Sequence, residues 1–340
     1  MKNNEMQKHI IEILKKSYLR SDLINDLYID VDTFVFLPNI SEEEMWDYYK
    51  WICKELKIKN RVMLSSGINS EDARKMKVDG HLNEELIKNE LLFDLDDSSF
   101  KKILNEDEKI VEVICDGIRS KKVESILDKK TTSKCDLKVI LNSKREIKLS
   151  AKKSENGQVH LNKIIPFIKG YEKRYGQISD IVKESLLFLF SGHKSTMKIL
   201  NDAKYINKNE NIHKLELRHH TLSIETMNKF NPILSEELLM WFKSNIGNIT
   251  DTVFKKGWSK NENEWVDYIL YRNKINNIES INDIINVDVL IKESIKHSNE
   301  IYFGTENGGT TILLPFGSVQ YHLGGLQFHH NKKKIMKMIS

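Results

Sequence analysis

Cysteine and proline are scarce in this chain of 340 residues, with three of the first and four of the second. Cys53, Cys115 and Cys135 lie far apart and show no Cys-x-x-Cys spacing. That excludes a disulfide framework or a thiolate zinc site as the basis of the fold, and makes a reducing cytoplasm the simplest setting. Each cysteine is expected to act as a small buried hydrophobe. There are 15 glycines and no low-complexity tract, so long linkers and disordered tails are not expected. No apolar run is long enough to cross a bilayer, and Met1-Lys-Asn-Asn-Glu5 lacks the basic-then-apolar layout of a signal peptide. A membrane partner is therefore not expected.

What the chain does have is a 40% hydrophobic, 30% charged composition, the balance of a soluble globular protein with room for one large domain or two ordinary ones. Its net charge is only +4, but the charge is unevenly spread. From Arg119 to Lys153 there are twelve Lys/Arg against four Asp/Glu, which leaves the rest of the chain at −4. Such a surplus forms an electrostatic footprint for phosphates, or a solvated lysine-rich surface.

The first quarter reads as helical. Met6, Ile10, Ile13, Leu14 and Tyr18 keep a 3.6-residue rhythm, as do Met45, Tyr48, Tyr49, Ile52 and Leu56 behind the Ser41-x-x-Glu44 capping box. A helix carrying Leu82, Leu86 and Leu92 begins near Asp79-Gly-His-Leu. From Lys109 the period changes to two: Ile110–Cys115, Asp136–Leu141 and Glu146–Lys152 read as strands. Amphipathic helices follow around Ile164–Tyr171, Ile181–Leu189 and Leu238–Asn245. Short strands then appear at Ile301-Tyr-Phe, Thr310–Leu314, Ser318–Tyr321 and Leu326-Gln-Phe, before a Lys-rich helix from Asn331. The order predicts a mixed α/β (α+β) fold, with a central sheet flanked by helices. It divides into a helical N-terminal region, 1–75, and a core, 76–340, that ends in a β-hairpin region.

The second and third strands carry the chemistry. Leu137, Val139 and Leu141 share one face with Ile147, Leu149 and Ala151, while Asp136, Lys138, Glu146, Lys148, Ser150 and Lys152 point the other way. Asn142-Ser-Lys-Arg145 is the natural turn. Phosphodiester cleavage needs this collection: a carboxylate to hold a divalent cation, and a lysine beside the reacting oxygens. Two triplets compete for the role. Glu146-Ile-Lys148 is a literal acid-x-Lys sequence ten residues after Asp136; Ser150-Ala-Lys152 has serine in the acid's place. A turn centred on Ser143 pairs Asp136 with Ser150 and leaves Glu146 about 13 Å along the strand. Placing Glu146 diagonal to Asp136 moves the turn to Asn142 and pulls Leu141 into it. Register favours Lys152 over Lys148, and both stay open.

These residues resemble the PD-(D/E)xK nuclease superfamily, and more closely its type II restriction endonuclease-like members. Ser150-Ala-Lys152, followed by Ser154-Glu-Asn-Gly157 and Val159-His160, is similar to the Ser-x-Lys stretch of some of them, although Leu161-Asn162 departs from their pattern. Gly308–Gly317, Val319-Gln-Tyr-His322 and Gln327-Phe-His-His330 resemble the end of the same proteins. The resemblance implies a Mg²⁺-dependent endonuclease that cuts double-stranded DNA at a specific site, working as a homodimer with a cognate methyltransferase in the same system. It implies that Asp136 and Glu84 bind metal, Glu84 standing on the first core helix. Lys152 or Lys148 then serves catalysis, with Ser150 or Glu146 in the acid position. Lys153, His160, Gln320, His322, Gln327 and His329 become DNA contacts. A second class of reading is a non-catalytic DNA-binding or defence-complex protein on a degenerate nuclease scaffold, which the serine at 150 favours. His329-His330-Asn331 lacks the downstream histidine that a ββα-metal site would need. For His219-His220, one ring is expected in solvent and the other packed, since neighbours on a strand face opposite ways.

Overall fold

The computed structural model describes residues 82–92, 98–115, 122–191, 193–205, 223–275, 278–304, 311–322 and 325–340, with three short strands before them. Contacts divide the chain into Met1–Asp79 and Gly80–Ser340. In the first unit, β1 (Tyr28–Ile29), β2 (Phe34–Phe36) and β3 (Met63–Ser65) form a small sheet in that order. Helical periodicity gave no sign of these strands. The helices expected around Met6–Tyr18 and Met45–Leu56 lie outside the described residues, as do His219-His220 and the first three residues of Gly308–Gly317.

The second unit holds two five-stranded sheets. Sheet one runs β11 (Ile278–Asn286), β10 (Tyr268–Asn273), β8 (Glu146–Lys152), β7 (Leu137–Leu141), β4 (Ile110–Cys115). Its β8–β10 pairing is parallel and the others antiparallel, so it is a mixed sheet. Sheet two is wholly antiparallel, in the order β12 (Tyr302–Phe303), β13 (Thr311–Leu314), β14 (Gly317–Tyr321), β15 (Gly325–Asn331), β9 (Asn156–Lys163). A short hairpin, β5 (Lys122–Glu124) with β6 (Lys130–Thr132), stands apart. Only Lys153–Glu155 separate β8 from β9, so one run of chain joins the two sheets.

Helix α1 (residues 82–92) lays Ile87 and Leu91 on Leu137, Val139, Leu149 and Leu270, with Phe100 of the short α2 (Ser98–Lys101) beside them. This is the apolar face predicted from alternation. Burying each such side chain is worth about 1.5–3 kcal/mol. The opposite face of sheet one joins the larger core through Ile269, Tyr271 and Ile285. Inner residues of sheet two enter the same core, Ile312, Val319, Leu326 and Phe328 among them. So do helices α3 (Ile164–Tyr175), α4 (Asp180–Phe190), α6 (Ile224–Phe230), α7 (Pro232–Thr250), α8 (Val287–Lys296) and α9 (Lys332–Ile339), with α5 (His193–Asp202) between α4 and α6. In α3, Gly170 leaves room for the Trp258 ring; a Cβ there would meet it at 2.7 Å. The fold is thus a mixed α/β core whose central mixed sheet is flanked by helices.

Among the described residues no helix is long and apolar enough to cross a membrane. Cys135 is buried, its thiol donating to the Leu137 carbonyl at 3.2 Å, and burial pushes that thiol up to about 12. Trp258 is a core residue.

Candidate active site

The hairpin closes through a three-residue loop. Leu141 N–H donates to the Arg145 carbonyl at 3.0 Å, leaving Asn142, Ser143 and Lys144 in the loop, and Lys144 has φ +66°. A left-handed residue at the end of such a loop is the usual way it matches strand twist. Glu108 secures the turn from outside by accepting from Ser143 Oγ at 2.8 Å and Arg145 Nε at 2.9 Å; the Arg145 guanidinium chiefly holds its carboxyl far below the ordinary carboxylate range. The ladder that results pairs Leu137 with Leu149, Lys138 with Lys148 and Ile140 with Glu146. This is the register centred on Ser143, with Asp136 opposite Ser150.

The two lysines therefore stand in different places. At the turn end, Glu146 forms an ion pair with Lys138 at 3.1 Å on an exposed surface. Lys148 uses its backbone N–H to bond Asp267 Oδ2 at 2.9 Å. At the other end, Asp136 Oδ2 accepts from Ser150 Oγ at 3.0 Å and from the Ala151 N–H at 2.9 Å. Lys152 Nζ donates to Ser150 Oγ at 2.8 Å and to the Ala151 carbonyl at 3.2 Å, and stands 3.9 Å from Asp136 Oδ2. Ser150, only 6% exposed, bridges acid and amine in the position a second carboxylate would hold.

Residues distant in sequence complete the surroundings. Parallel pairing sets Tyr271 beside Lys152 and Ile269 beside Ser150. Tyr271 Oη and His330 Nδ1 share a hydrogen bond of 2.8 Å. Burial, then the charge of Lys152, bring His330 down to about 3, so its ring is neutral. Lys134 donates to the Val159 carbonyl at 2.8 Å; burial and Lys152 bring its amine down to about 7, with Asp136 pulling the other way. Glu264 accepts from Ser133 Oγ at 2.9 Å, and Ser133 Oγ accepts from the Cys135 N–H at 3.1 Å, which fastens the approach to Asp136. Lys134, Tyr271 and Glu264 carried no motif, and His330 stood within Gln327-Phe-His-His330 without a role of its own. The one signal available for Lys134 was its place two residues before Asp136.

Glu84 lies half-buried in the first turn of α1, a helix packed on the face of sheet one opposite to Asp136. Asn83 anchors that turn, its Nδ2 donating to the Arg272 carbonyl at 2.9 Å and its Oδ1 accepting from the Lys274 N–H at 2.8 Å. The helix start thus meets the C-terminal end of β10. No group of three His, Cys, Asp or Glu side chains suited to a metal occurs among the described residues.

The expected DNA contacts separate into two sets. Gln320 and Gln327 oppose each other on sheet two, with Gln320 Nε2 donating to Gln327 Oε1 at 3.2 Å. Gln327 Nε2 donates to Gln158 Oε1 at 2.7 Å, and Gln320 Nε2 meets His329 Nε2 at 3.3 Å. These alternate with core residues Val319, Leu326 and Phe328, so they share the opposite face, where Gln327 is itself buried. His322 is held below its ordinary value by burial and by Lys163. Lys153, at the join of the sheets, accepts from Asn273 Nδ2 at 3.0 Å through its carbonyl. His160 departs from expectation. It pairs with Phe328 on the inward side, packs 6.3 Å from the Trp258 ring, and has its Nε2 sealed from solvent. Burial and Lys134 hold it well below its ordinary value. A one-residue bulge in β9 explains the turn inward: Gln158 opposes His329 and His160 opposes Phe328, leaving Val159 without an opposite number.

No family model matches the chain, and no curated protein matches it. Among solved structures it is similar to the crystal structure of restriction endonuclease MspI in complex with its cognate DNA. Identity is 13%, over 76% of this chain and 82% of the other, with a TM-score of 0.36. Overlap this loose carries no argument, so function is argued from this chain's own residues.

Proposed function

We propose that the chain is a Mg²⁺-dependent endonuclease that cuts double-stranded DNA at a specific site, with Asp136, Ser150 and Lys152 as its reacting end. The observation that carries the reading is the Asp136–Ser150–Lys152 cluster, an acid and an amine held on adjacent strands by one buried hydroxyl. The donor chemistry fits Mg²⁺, which takes one or two carboxylates and fills its shell with water and substrate phosphate rather than needing an all-protein cage. Asp136 would hold the ion, with water and substrate phosphate in its remaining positions. Bound there, Mg²⁺ supplies Lewis acidity and acidifies a water.

The chain's own groups do the rest. Ser150 fixes the carboxylate and the Lys152 amine relative to each other, so neither reorganises when substrate arrives. Lys152 can donate to the attacking water or to a non-bridging phosphate oxygen, stabilising the charge that develops there. The face of sheet two bearing Gln320, Gln327, His329 and His322 offers donors and acceptors to base edges, and Lys153 a charge to the backbone. A homodimer would cut both strands of a symmetric site, with a cognate methyltransferase protecting it.

The test is incubation of the protein with unmethylated duplex DNA, with and without Mg²⁺. Discrete fragments that disappear in Asp136→Ala support the proposal; no nicking or cutting of any duplex by folded protein overturns it. Ser150 in place of an acid favours a second reading, DNA binding without cleavage. Tight duplex binding with no scission in Mg²⁺ would establish that reading instead.

A further inference from the structure

The bulge at Val159 sends Gln158 and His160, two residues apart, to opposite faces of sheet two. His160 turns into the core and Gln158 out to solvent, on the strand that ends the sheet among the described residues. Bulges beside a working site commonly re-aim one side chain in this way. What Gln158 presents is set by a chain of amides. Gln320 Nε2 donates to Gln327 Oε1 at 3.2 Å, and its second hydrogen faces His329 Nε2 at 3.3 Å. Gln327 Nε2 donates in turn to Gln158 Oε1 at 2.7 Å. Both amide–amide bonds run the same way, from β14 through β15 to β9. Gln327 is buried, so it is a link and not itself a contact. At the end of the chain Gln158 has its carbonyl held inward, and its NH2 group has no partner among the described residues. A free glutamine can donate or accept; this one is left with its donors outward.

The reacting end is close by along the chain. Gln158 follows Lys152 by six residues, so their Cα atoms lie within about 20 Å of each other, the length of about six base pairs. An antiparallel pair such as β9 and β15 fits the major groove. There guanine shows two acceptors, N7 and O6, whereas adenine shows N7 beside its N6 amino donor. Outward donors match the first pattern and meet a donor in the second. We infer that Gln158 is a specificity-determining residue, its amide donating to the acceptor edge of a guanine in duplex DNA. The bond from Gln327 stops that amide from turning over to accept from adenine, which makes Gln327 a positioning residue. The inference rests on the duplex-DNA substrate of the proposed function and names one base of its site.

The experiment sequences the duplexes bound from a pool with a randomised centre, in EDTA, where nothing is cut. Wild type should fix a guanine at one position. Gln158→Leu should lose about 10–100-fold of the preference at that position alone, with the other positions and the salt dependence unchanged, because no phosphate contact is removed. Gln327→Met, which frees the amide to turn over, should keep a purine there but bring guanine and adenine within about twofold of each other. If Gln158→Leu does not fold, Gln158→Glu, which keeps the Gln327 bond but carries only acceptors, should exchange guanine for cytosine. A loss spread evenly over all positions, a guanine kept by folded Gln158→Leu, or a guanine-to-adenine ratio unmoved in Gln327→Met overturns the inference. So does a wild-type pool with no fixed guanine. Cutting of duplex DNA in Mg²⁺ is read separately, so the nuclease reading stands or falls without these results.

Discussion

At the turn end of the β7–β8 hairpin, Lys138 and Glu146 pair at 3.1 Å in the open; at the other end, Asp136 and Lys152 stand 3.9 Å apart with Ser150 bonded to both. Both ends lie on the same polar face of the same two strands. They differ in what surrounds them. Water covers the turn end, where an exposed ion pair is screened and contributes little. The other end is covered by β10 and by the inward edge of sheet two, where Tyr271 and His330 are buried. A lysine and a carboxylate become chemically useful where hydrogen bonds impose their positions, not wherever the two residue types meet.

The comparison breaks most directly at Asp136. Asp136→Ala removes the carboxylate and should lower cleavage of duplex DNA by about 10³-fold or more, measured as single-turnover rate in Mg²⁺. Next comes the contrast of the lysines. Lys152→Met should cost about 10²–10³-fold, while Lys148→Met should leave the rate within roughly twofold. A reversed order would move the chemistry to the literal triplet at the turn end.

The buried His330 ring behind Lys152 has a pH signature. His330 is depressed to about 3, whereas the unfolded chain takes up that proton near 6.5. The unfolded state therefore binds more protons between those values, so this contribution to stability is complete above about 6.5 and is lost as pH falls toward 3. The slope is up to about 1.4 kcal/mol per pH unit for one histidine. Denaturant midpoints of wild type and His330→Gln across this window should converge at low pH; parallel curves would mean that the ring is solvated. Ser150→Ala frees both partners of the bridge and should slow cleavage by about tenfold, the scale of an orienting contact. Smallest of all is Glu146→Gln, expected to change stability by less than about 0.5 kcal/mol and leave cleavage untouched.

Much of this contrast could be read before any coordinates. Period-two alternation placed Leu137, Val139, Leu141, Ile147 and Leu149 on one face, and the need to keep Leu141 in the strand set the turn at Ser143. The observed ladder has that register. Short-range rules suffice there, because hairpin partners are neighbours in the chain and a slip would turn the apolar set outward. The same rules missed β9: Asn156 and Gly157 read as turn residues, yet sheet two takes them into its edge strand, and the bulge at Val159 then turns His160 inward.

What the sequence determined alone, then, was local: a hairpin with one apolar and one polar face, and a preference for the register that opposes Asp136 to Ser150. The tertiary structure decided which end of that polar face stands beside Tyr271 and His330. Lys152 lies 119 residues from its parallel neighbour Tyr271, and 178 from His330, whose ring it depresses. Pairing between segments so far apart is settled by the fit of whole faces in a shared core, which no local spacing encodes. The same packing brings Lys134 to the second sheet through the Val159 carbonyl and stations Glu84 on a helix across the sheet from Asp136. Alternation can say that an acid and a lysine share a face, but the buried groups packed behind that pair come from segments that no local spacing brings together.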